Sequence, residues 1–448
     1  MFDMTIARAA AACCGELRGD CRKDIKIGRV IIDSREAREG DLFVAYEGER
    51  ADGHDYIAAA FQKGAACCLA RRLPESVTGP VILVPDVQDA LEAIFREYRK
   101  SISIPVIGIT GSVGKTSAKE MVSAVLSSRF SVLKTEGNLN NQIGVPLTLS
   151  RISPEHELAV VEMGISDFGD MSRLAQMARP TMALFTVIGH AHLEFLRDLD
   201  GVLEAKTEML DYMAEDALVI INGDDEKLRS LKCCQPLLRF GLGEGCDVRA
   251  EHIQVTKSRE TACDIVYGER RIRVHIPAFG RHMVYAALEG AAVGFAMGLT
   301  DDEIVRGVAA YETVGRRSAV TDTGFVTLID DSYNANPDSM LSAVESLTDM
   351  PGRKICILGD MLEMGPEAGQ MHYDLGRRAA ELGIFRVLSC GELAAQIAKG
   401  AGDKGQHFES VAELMAALPE IIQKGDTVLV KASRGMHFEQ IAEALKEL

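Results

Sequence analysis

The run Gly108-Ile109-Thr110-Gly111-Ser112-Val113-Gly114-Lys115-Thr116-Ser117 joins an apolar stretch, Pro105 to Thr110, to a helical pattern from Lys115 to Ser127. Glycines at such a junction let backbone N–H groups turn toward a polyphosphate at the positive end of the helix. Lys115 would reach the β- and γ-phosphates, and Thr116 would ligate Mg²⁺. The spacing is the short GxxGK[ST] form, because Ile109 stands where the longer loop has its first glycine. Strand, loop and helix follow in the right order. The prediction is nucleotide binding by residues Gly111, Ser112, Val113, Gly114, Lys115, Thr116 and Ser117.

Other polar groups cluster downstream. Thr135 to Pro146 holds Asn138, Asn140 and Asn141, which supply amide donors and acceptors or simply build Asn-rich turns. Glu162 ends the apolar run Leu158 to Val161, and the carboxyl ends of strands face the ligand crevice in open α/β sheets. An acid there can hold a metal ion near phosphates. The next apolar run ends in Ile188-Gly189-His190-Ala191-His192, so His190 or His192 points into the same crevice. Lys206 lies in a helical pattern where spacing alone favours a surface lysine paired with Glu204 or Glu208.

The elements that must position these groups alternate between strand and helix. Near the N-terminus, strand-like runs are Arg29 to Ile32, Asp41 to Tyr46 and Val81 to Val84. Helical patterns there cover Ile57 to Lys63 and Val87 to Lys100. Ser101 to Pro105 reads as a boundary. Strands follow at Leu158 to Glu162, Met182 to Ile188 and Ala217 to Ile221, and a charged hairpin at Asp247 to Ile276. After Gly315, apolar runs recur at Val326 to Ile329, Lys354 to Leu358, Phe385 to Leu388 and Thr427 to Val430, the first three followed by helical patterns. The expected class is α/β with three domains. These are a small α/β N-terminal domain (1–103), a central P-loop ATPase with a parallel sheet (104–313) and a C-terminal Rossmann-like doubly wound domain (314–448). No internal repeat or low-complexity tract stands out.

The chain's 448 residues fit about three domains. With 47% hydrophobic and 26% charged residues, it is neither disordered nor fibrous. A net charge of −17 argues against a nucleic-acid coat, which needs a broad basic face. Eleven cysteines, an odd number, include the adjacent pairs 13–14, 67–68 and 233–234, and no CxxC spacing occurs. They are expected to be buried small hydrophobes in a reducing compartment, not a zinc site. Arg8 to Cys14 reads as the start of a helix and not as a signal peptide. No stretch reaches the ~18–20 apolar residues of a membrane span. The expectation is a cytoplasmic protein without membrane insertion.

Several of these segments together resemble the Mur ligase family of ATP-dependent amide ligases. They are Thr110 to Thr116, Glu162-Met163-Gly164, Ala191 to Glu194 and Ala205 to Glu208. Further strings resemble the branch that joins D-alanyl-D-alanine to UDP-N-acetylmuramoyl-tripeptide. These are Thr135 to Asn141, Asp330 to Met340, Leu358 to Gly365 with His372, Asp33-Ser34-Arg35, Gly40 to Phe43 and Asp52-Gly53-His54. The resemblance implies ATP as cosubstrate and a substrate carboxylate activated as an acyl phosphate, with ADP and phosphate released. It implies two Mg²⁺ ions, with Thr116 and Glu162 as ligands of the first and His192 of the second. It also implies a CO₂-derived carbamate on Lys206 that supports the second ion, so Lys115, His192 and Lys206 would be catalytic.

The same resemblance assigns Arg316 to the phosphates, Asp331 to the ribose, and Tyr333 and Asn334 to the loop beside it. It places Ser34 and Arg35 at the uridine-diphosphate end and Arg434 on the substrate side. Asn138, Asn140 and Asn141 join the substrate set, and Asp360 and Glu363 fall where a dipeptide ammonium could sit. Some positions depart from the family pattern. His282-Met283-Val284-Tyr285-Ala286 lacks two asparagines usual there, so adenine must be held by another group or by packing. Val113 and Val187 replace frequent asparagines, and Phe195-Leu196-Arg197 stands where a Gly-Ser pair is usual. The rival readings are another amide ligase of the superfamily and a nucleotide-binding scaffold without catalysis. No nucleic-acid partner is expected, and a monomer is.

Overall fold

The computed structural model describes residues 4–19, 24–48, 51–75, 77–255 and 260–448. Within them lie three larger sheets, each α/β in character. The first has the spatial order 16–18, 81–83, 67–70, 42–44, 30–31, and only the pairing of Glu16–Arg18 with Val81–Leu83 is antiparallel. Cys67–Ala70, buried at every position, was not legible as a strand because it lacks β-branched residues.

The central sheet has nine strands. Val106–Thr110 lies between Leu158–Glu162 and Met182–Phe185, parallel to both. Later strands therefore lie on both sides of it, an arrangement that places a crevice at the strands' carboxyl ends. Met182–Phe185 is shorter than the apolar run suggested. After it, Thr186 Oγ1 donates to the Val113 carbonyl (2.5 Å) and Val187 O accepts from Ser112 N (2.8 Å). Those residues brace the phosphate loop instead of extending the sheet. The expected hairpin is a three-stranded antiparallel meander, Val248–Val255, Thr261–Tyr267 and Arg270–Ile276. Its first turn, residues 256–259, lies outside the described residues.

The third sheet orders its strands 319–322, 327–330, 427–431, 354–359, 386–390, 405–408, all parallel except the first pair. The helix Pro337–Thr348 starts cleanly because Asn336 and Ser339 form a reciprocal cap and Pro337 fills the first turn.

Packing joins the first two sheets. One apolar cluster runs from Met4, Leu42 and Phe95 through Val106, Val161 and Phe185. The helix Val87–Arg99 turns Val87, Leu91, Ile94, Phe95 and Tyr98 into it. Across the same junction, buried Glu92 accepts from Arg173 Nε at 2.8 and 3.0 Å and from Arg96 at 2.9 Å. Arg99, also buried, donates to the carbonyls of Ala178 and Ile102, each at 2.6 Å. The third sheet carries its own two-sided core.

The ten described cysteines form no disulfide with one another; Cys21 lies outside the described residues. Cys67, Cys68, Cys246, Cys263, Cys356 and Cys390 are buried as expected, but Cys14 and Cys234 are exposed. Cys14 lies just past a helix end, with φ +52°, and Cys234 lies in a connecting bend. Among the described residues no helix is long and apolar enough to cross a membrane.

Candidate active site

The phosphate loop takes its shape from its glycines. Gly111 and Gly114 have φ of +149° and +85°, and a Cβ on Gly111 would lie 2.0 Å from Thr186 Oγ1. Ser112 Oγ bonds both the N–H and the carbonyl of Gly189 at 2.9 Å, which ties the loop to the next strand end. The helix Lys115–Leu126 then begins with its N-terminus at the loop. Lys115 Nζ donates to Gly111 O at 2.7 Å. Ser117 faces Tyr311.

Glu162 is 1% exposed, not a solvated strand end. Its carboxylate accepts from Thr116 Oγ1 (3.0 Å) and from Asn140 Nδ2 (2.7 Å). Hard oxygens this close to a phosphate loop suit Mg²⁺. The other two asparagines behave differently. Asn141 Oδ1 caps the helix Gly144–Leu149 by accepting from Ile143 N (3.2 Å) and Gly144 N (2.9 Å). That is a structural use of its amide oxygen. Asn138 is exposed, and its carbonyl accepts from Asn140 N.

Lys206 is buried, at 1% exposure, and among the described residues it has no acidic partner. The suspected partners are engaged elsewhere. Glu208 accepts from Gly169 N and Ser172 N, and Glu204 from Arg197. Burial, with help from Lys115, pushes the Lys206 amine well below the ordinary lysine range. Burial also lowers Lys115, against the opposing pull of Glu162.

The two histidines separate. His190 turns to Asp338, which accepts its backbone N–H at 2.6 Å and contacts its ring at 3.1 Å. His192 stays at the crevice, where burial lowers its pKa, Glu363 opposes the shift, and Lys115 and Lys206 add to it. Its Nδ1 lies 2.5 Å from Glu363 Oε2.

The third sheet brings Tyr333, Arg317 and Arg434 together. Arg317 stacks on the Tyr333 ring at 4.1 Å and Arg434 at 5.3 Å, and Arg434 also donates to the Tyr333 hydroxyl. Asp331 accepts from Lys431 at 2.5 Å and from Ser318 N, and Asn334 O also accepts from Lys431.

Three of the expected residues already have protein partners. Arg316 is held by Asp330 (2.8 Å) and Glu443 (2.7 Å), whereas the charge of Arg317 adds to the lowering at Lys115. Two adjacent arginines cannot be told apart by spacing, and here their partners differ. Asp360 is buried and accepts from Ala394 N at 2.7 Å, so it braces a loop instead of facing an ammonium. Glu363 reaches His192. Asp338 lies inside the Asp330 to Met340 string, but nothing local links it to His190, so the sequence assigns it no role.

His282 is partly buried and among the described residues its Nδ1 has no partner, while Met283 and Ala286 pack into the central core. In the N-terminal domain Ser34 is buried, and Arg35 is exposed and paired with Asp33, whose carboxyl is held down to about 2. The nearby Glu47, Asp52 and His54 could bring ligand atoms together, but both His54 nitrogens are used. Nδ1 pairs with Asp52 at 2.6 Å and Nε2 accepts from Arg71 N at 3.1 Å.

Comparisons with known proteins agree along the chain. "Mur ligase family, catalytic domain" matches residues 26–99, "Mur ligase middle domain" 109–294, and "Mur ligase, glutamate ligase domain" 315–434. The UDP-N-acetylmuramoyl-tripeptide--D-alanyl-D-alanine ligase of Bacillus subtilis (strain 168) is 35% identical, over 100% of this chain and 99% of that protein. The protein of the same name from Escherichia coli (strain K12) is 36% identical, with the same coverage. A crystal structure of MurF from Acinetobacter baumannii has a TM-score of 0.92 at 31% identity over 99% of each chain. MurF ligase from Thermotoga maritima in complex with ADP has a TM-score of 0.83 at 30% identity, covering 94% of this chain and 97% of that one. With a phosphate loop, a buried strand-end glutamate and an unpaired buried lysine at one crevice, and relatives matched from end to end, this chain belongs to the Mur ligase family.

Proposed function

We propose that this chain joins D-alanyl-D-alanine to UDP-N-acetylmuramoyl-tripeptide, at the expense of ATP, in the synthesis of peptidoglycan precursor. ATP phosphorylates the tripeptide's terminal carboxylate, the dipeptide amine attacks the acyl phosphate, and ADP and phosphate leave. The reading is carried by the end-to-end similarity to ligases of that name, and the crevice has the chemistry it demands. Both steps gather negative charge, so the site needs cations more than a protein nucleophile.

Residues 1–103 take the uridine-diphosphate end, with Ser34 and Arg35 in contact. Residues 104–313 take ATP on Gly111 to Ser117. Residues 314–448 close over the nucleotide and receive the dipeptide, with Arg317, Tyr333 and Arg434 facing the cleft and Asp331 and Asn334 beside them. Thr116 and Glu162 fit one Mg²⁺, and His192 with a carbamate on Lys206 fits a second. Ions held by these residues would supply positive charge against the transferring phosphoryl group. The carbamate reading rests on the unpaired, buried amine. Such an amine is readily neutral, and its nitrogen can add to CO₂ and release a proton. Third-domain closure excludes water from the acyl phosphate.

The test is ADP release from purified protein with UDP-tripeptides carrying diaminopimelate or lysine, with and without D-alanyl-D-alanine. Release that requires both substrates is expected; release indifferent to them would sink the proposal. Lys206→Ala is expected to be nearly inactive and partly restored by a small carboxylate. Full activity in that variant removes the carbamate.

A further inference from the structure

Glu363 lies on the loop that follows the strand Lys354–Gly359, in the third sheet's half of the molecule. His192 lies on the loop that follows Met182–Phe185, in the central half. They meet at 2.5 Å, Nδ1 to Oε2, and the Glu363 carbonyl also accepts from Glu194 N at 3.4 Å. Both residues hold left-handed backbone, with φ of +55° at His192 and +62° at Glu363. Non-glycine residues stay in that region only where the surroundings impose it. Here two unfavourable conformations are kept on opposite sides of one contact. Gly365, at φ +70°, brings the third-domain loop within 3.7 Å of the Glu194 backbone, measured from where its Cβ would be.

An imidazole that ligates a metal through one nitrogen presents its other N–H outward. A carboxylate on that N–H fixes both the tautomer and the ring plane. The partner of Nδ1 is a carboxylate, which can only accept, so Nδ1 carries a proton and the neutral ring has its lone pair on Nε2. The carboxylate comes from the domain that must close, not from the one that holds the phosphates.

We propose that Glu363 is a positioning residue for His192. It aims Nε2 at the second metal position, so that this position is complete only when the third domain is docked. The proposal rests on the reading of His192 as a metal ligand given above. It gives Glu363 a role other than the dipeptide ammonium contact expected of it, because Oε2 is already turned to His192. Metal binding and domain docking then become reciprocally linked.

The test uses full-length protein and Mn²⁺ as the probe, titrated by the electron paramagnetic resonance of free Mn²⁺ in the presence of ADP. Glu363→Ala is expected to weaken one class of Mn²⁺ sites by about 10–100-fold, the usual effect of removing such a partner. His192→Ala should weaken the same class, and the double variant should be no worse than His192→Ala. Glu363→Gln, whose amide oxygen still accepts from Nδ1, should recover part of the affinity. The KM for D-alanyl-D-alanine at saturating Mg²⁺ should not change in Glu363→Ala, and ADP affinity without metal should match the parent. Unchanged Mn²⁺ binding in Glu363→Ala with a raised dipeptide KM overturns the proposal and returns Glu363 to the ammonium. A parental Mn²⁺ isotherm in His192→Ala removes the metal-ligand reading itself, and the proposal with it.

Discussion

Arg316 and Arg317 are neighbours in sequence with different partners. Arg316 bridges the Asp330 carboxylate, which is 6% exposed, to Glu443. Removing it leaves a buried acid short of its charged partner, a loss of about 1–3 kcal/mol. Arg316→Ala should therefore lower the thermal midpoint with little effect on kcat. Arg317 has no ion pair among the described residues; it lies over the Tyr333 ring and acts on Lys115. Arg317→Ala should cut kcat by about 10²-fold, the scale of losing one donor to developing charge, and leave the midpoint near that of the parent. Steady-state ADP release and thermal denaturation of the two variants decide the matter. The reverse pattern would restore Arg316 as the phosphate contact.

The central helix His282–Ala296 shows how one residue can work against its element. Its buried positions include Val284, Ala287, Leu288, Ala291 and Val293, and also Glu289. Burial alone drives the Glu289 carboxyl well above the ordinary glutamate range. In the linkage, the folded chain binds a proton here that the unfolded chain releases above about pH 4.5. Stability is thus lost as pH rises from there toward the folded-state pKa, and the penalty is complete above it. Glu289→Gln should leave the thermal midpoint unchanged at pH 4 and raise it at pH 8. An equal shift at both values would mean that packing, not ionisation, governs the site.

At the scale of the molecule, the third domain is fastened to the central one by a few polar contacts and by Phe279, which packs into the third domain's core. Besides the Glu363 pair, Asp338 accepts the His190 N–H at 2.6 Å. Gly189 makes room for it, since a Cβ there would lie 2.4 Å from its Oδ2. The N-terminal domain, by contrast, shares an apolar core with the central sheet. The third domain should therefore detach first. Asp338→Ala is expected to speed limited proteolysis between residues 311 and 318 several-fold while the junction near residue 100 stays protected. Equal cleavage at both junctions would contradict that order.

The local pattern determined much of this protein. The phosphate loop, the strand-end position of Glu162 and the alternation of strand and helix are short-range features, set by glycine conformations and apolar periodicity. They were legible without coordinates, and the family resemblance extended them to Lys206. Tertiary structure decided which like residues do different work. Asn140 reaches Glu162 while Asn141 caps a helix, and His192 stays at the crevice while His190 binds Asp338. Among the described residues Arg317, unlike Arg316, has no ion pair. Each choice depends on a partner far away in the chain, such as Glu363, Asp338 or Glu443, which only folding brings near. The isolation of Lys206 is of the same kind, because a residue's lack of a partner is fixed by the whole of its surroundings and not by its neighbours in sequence.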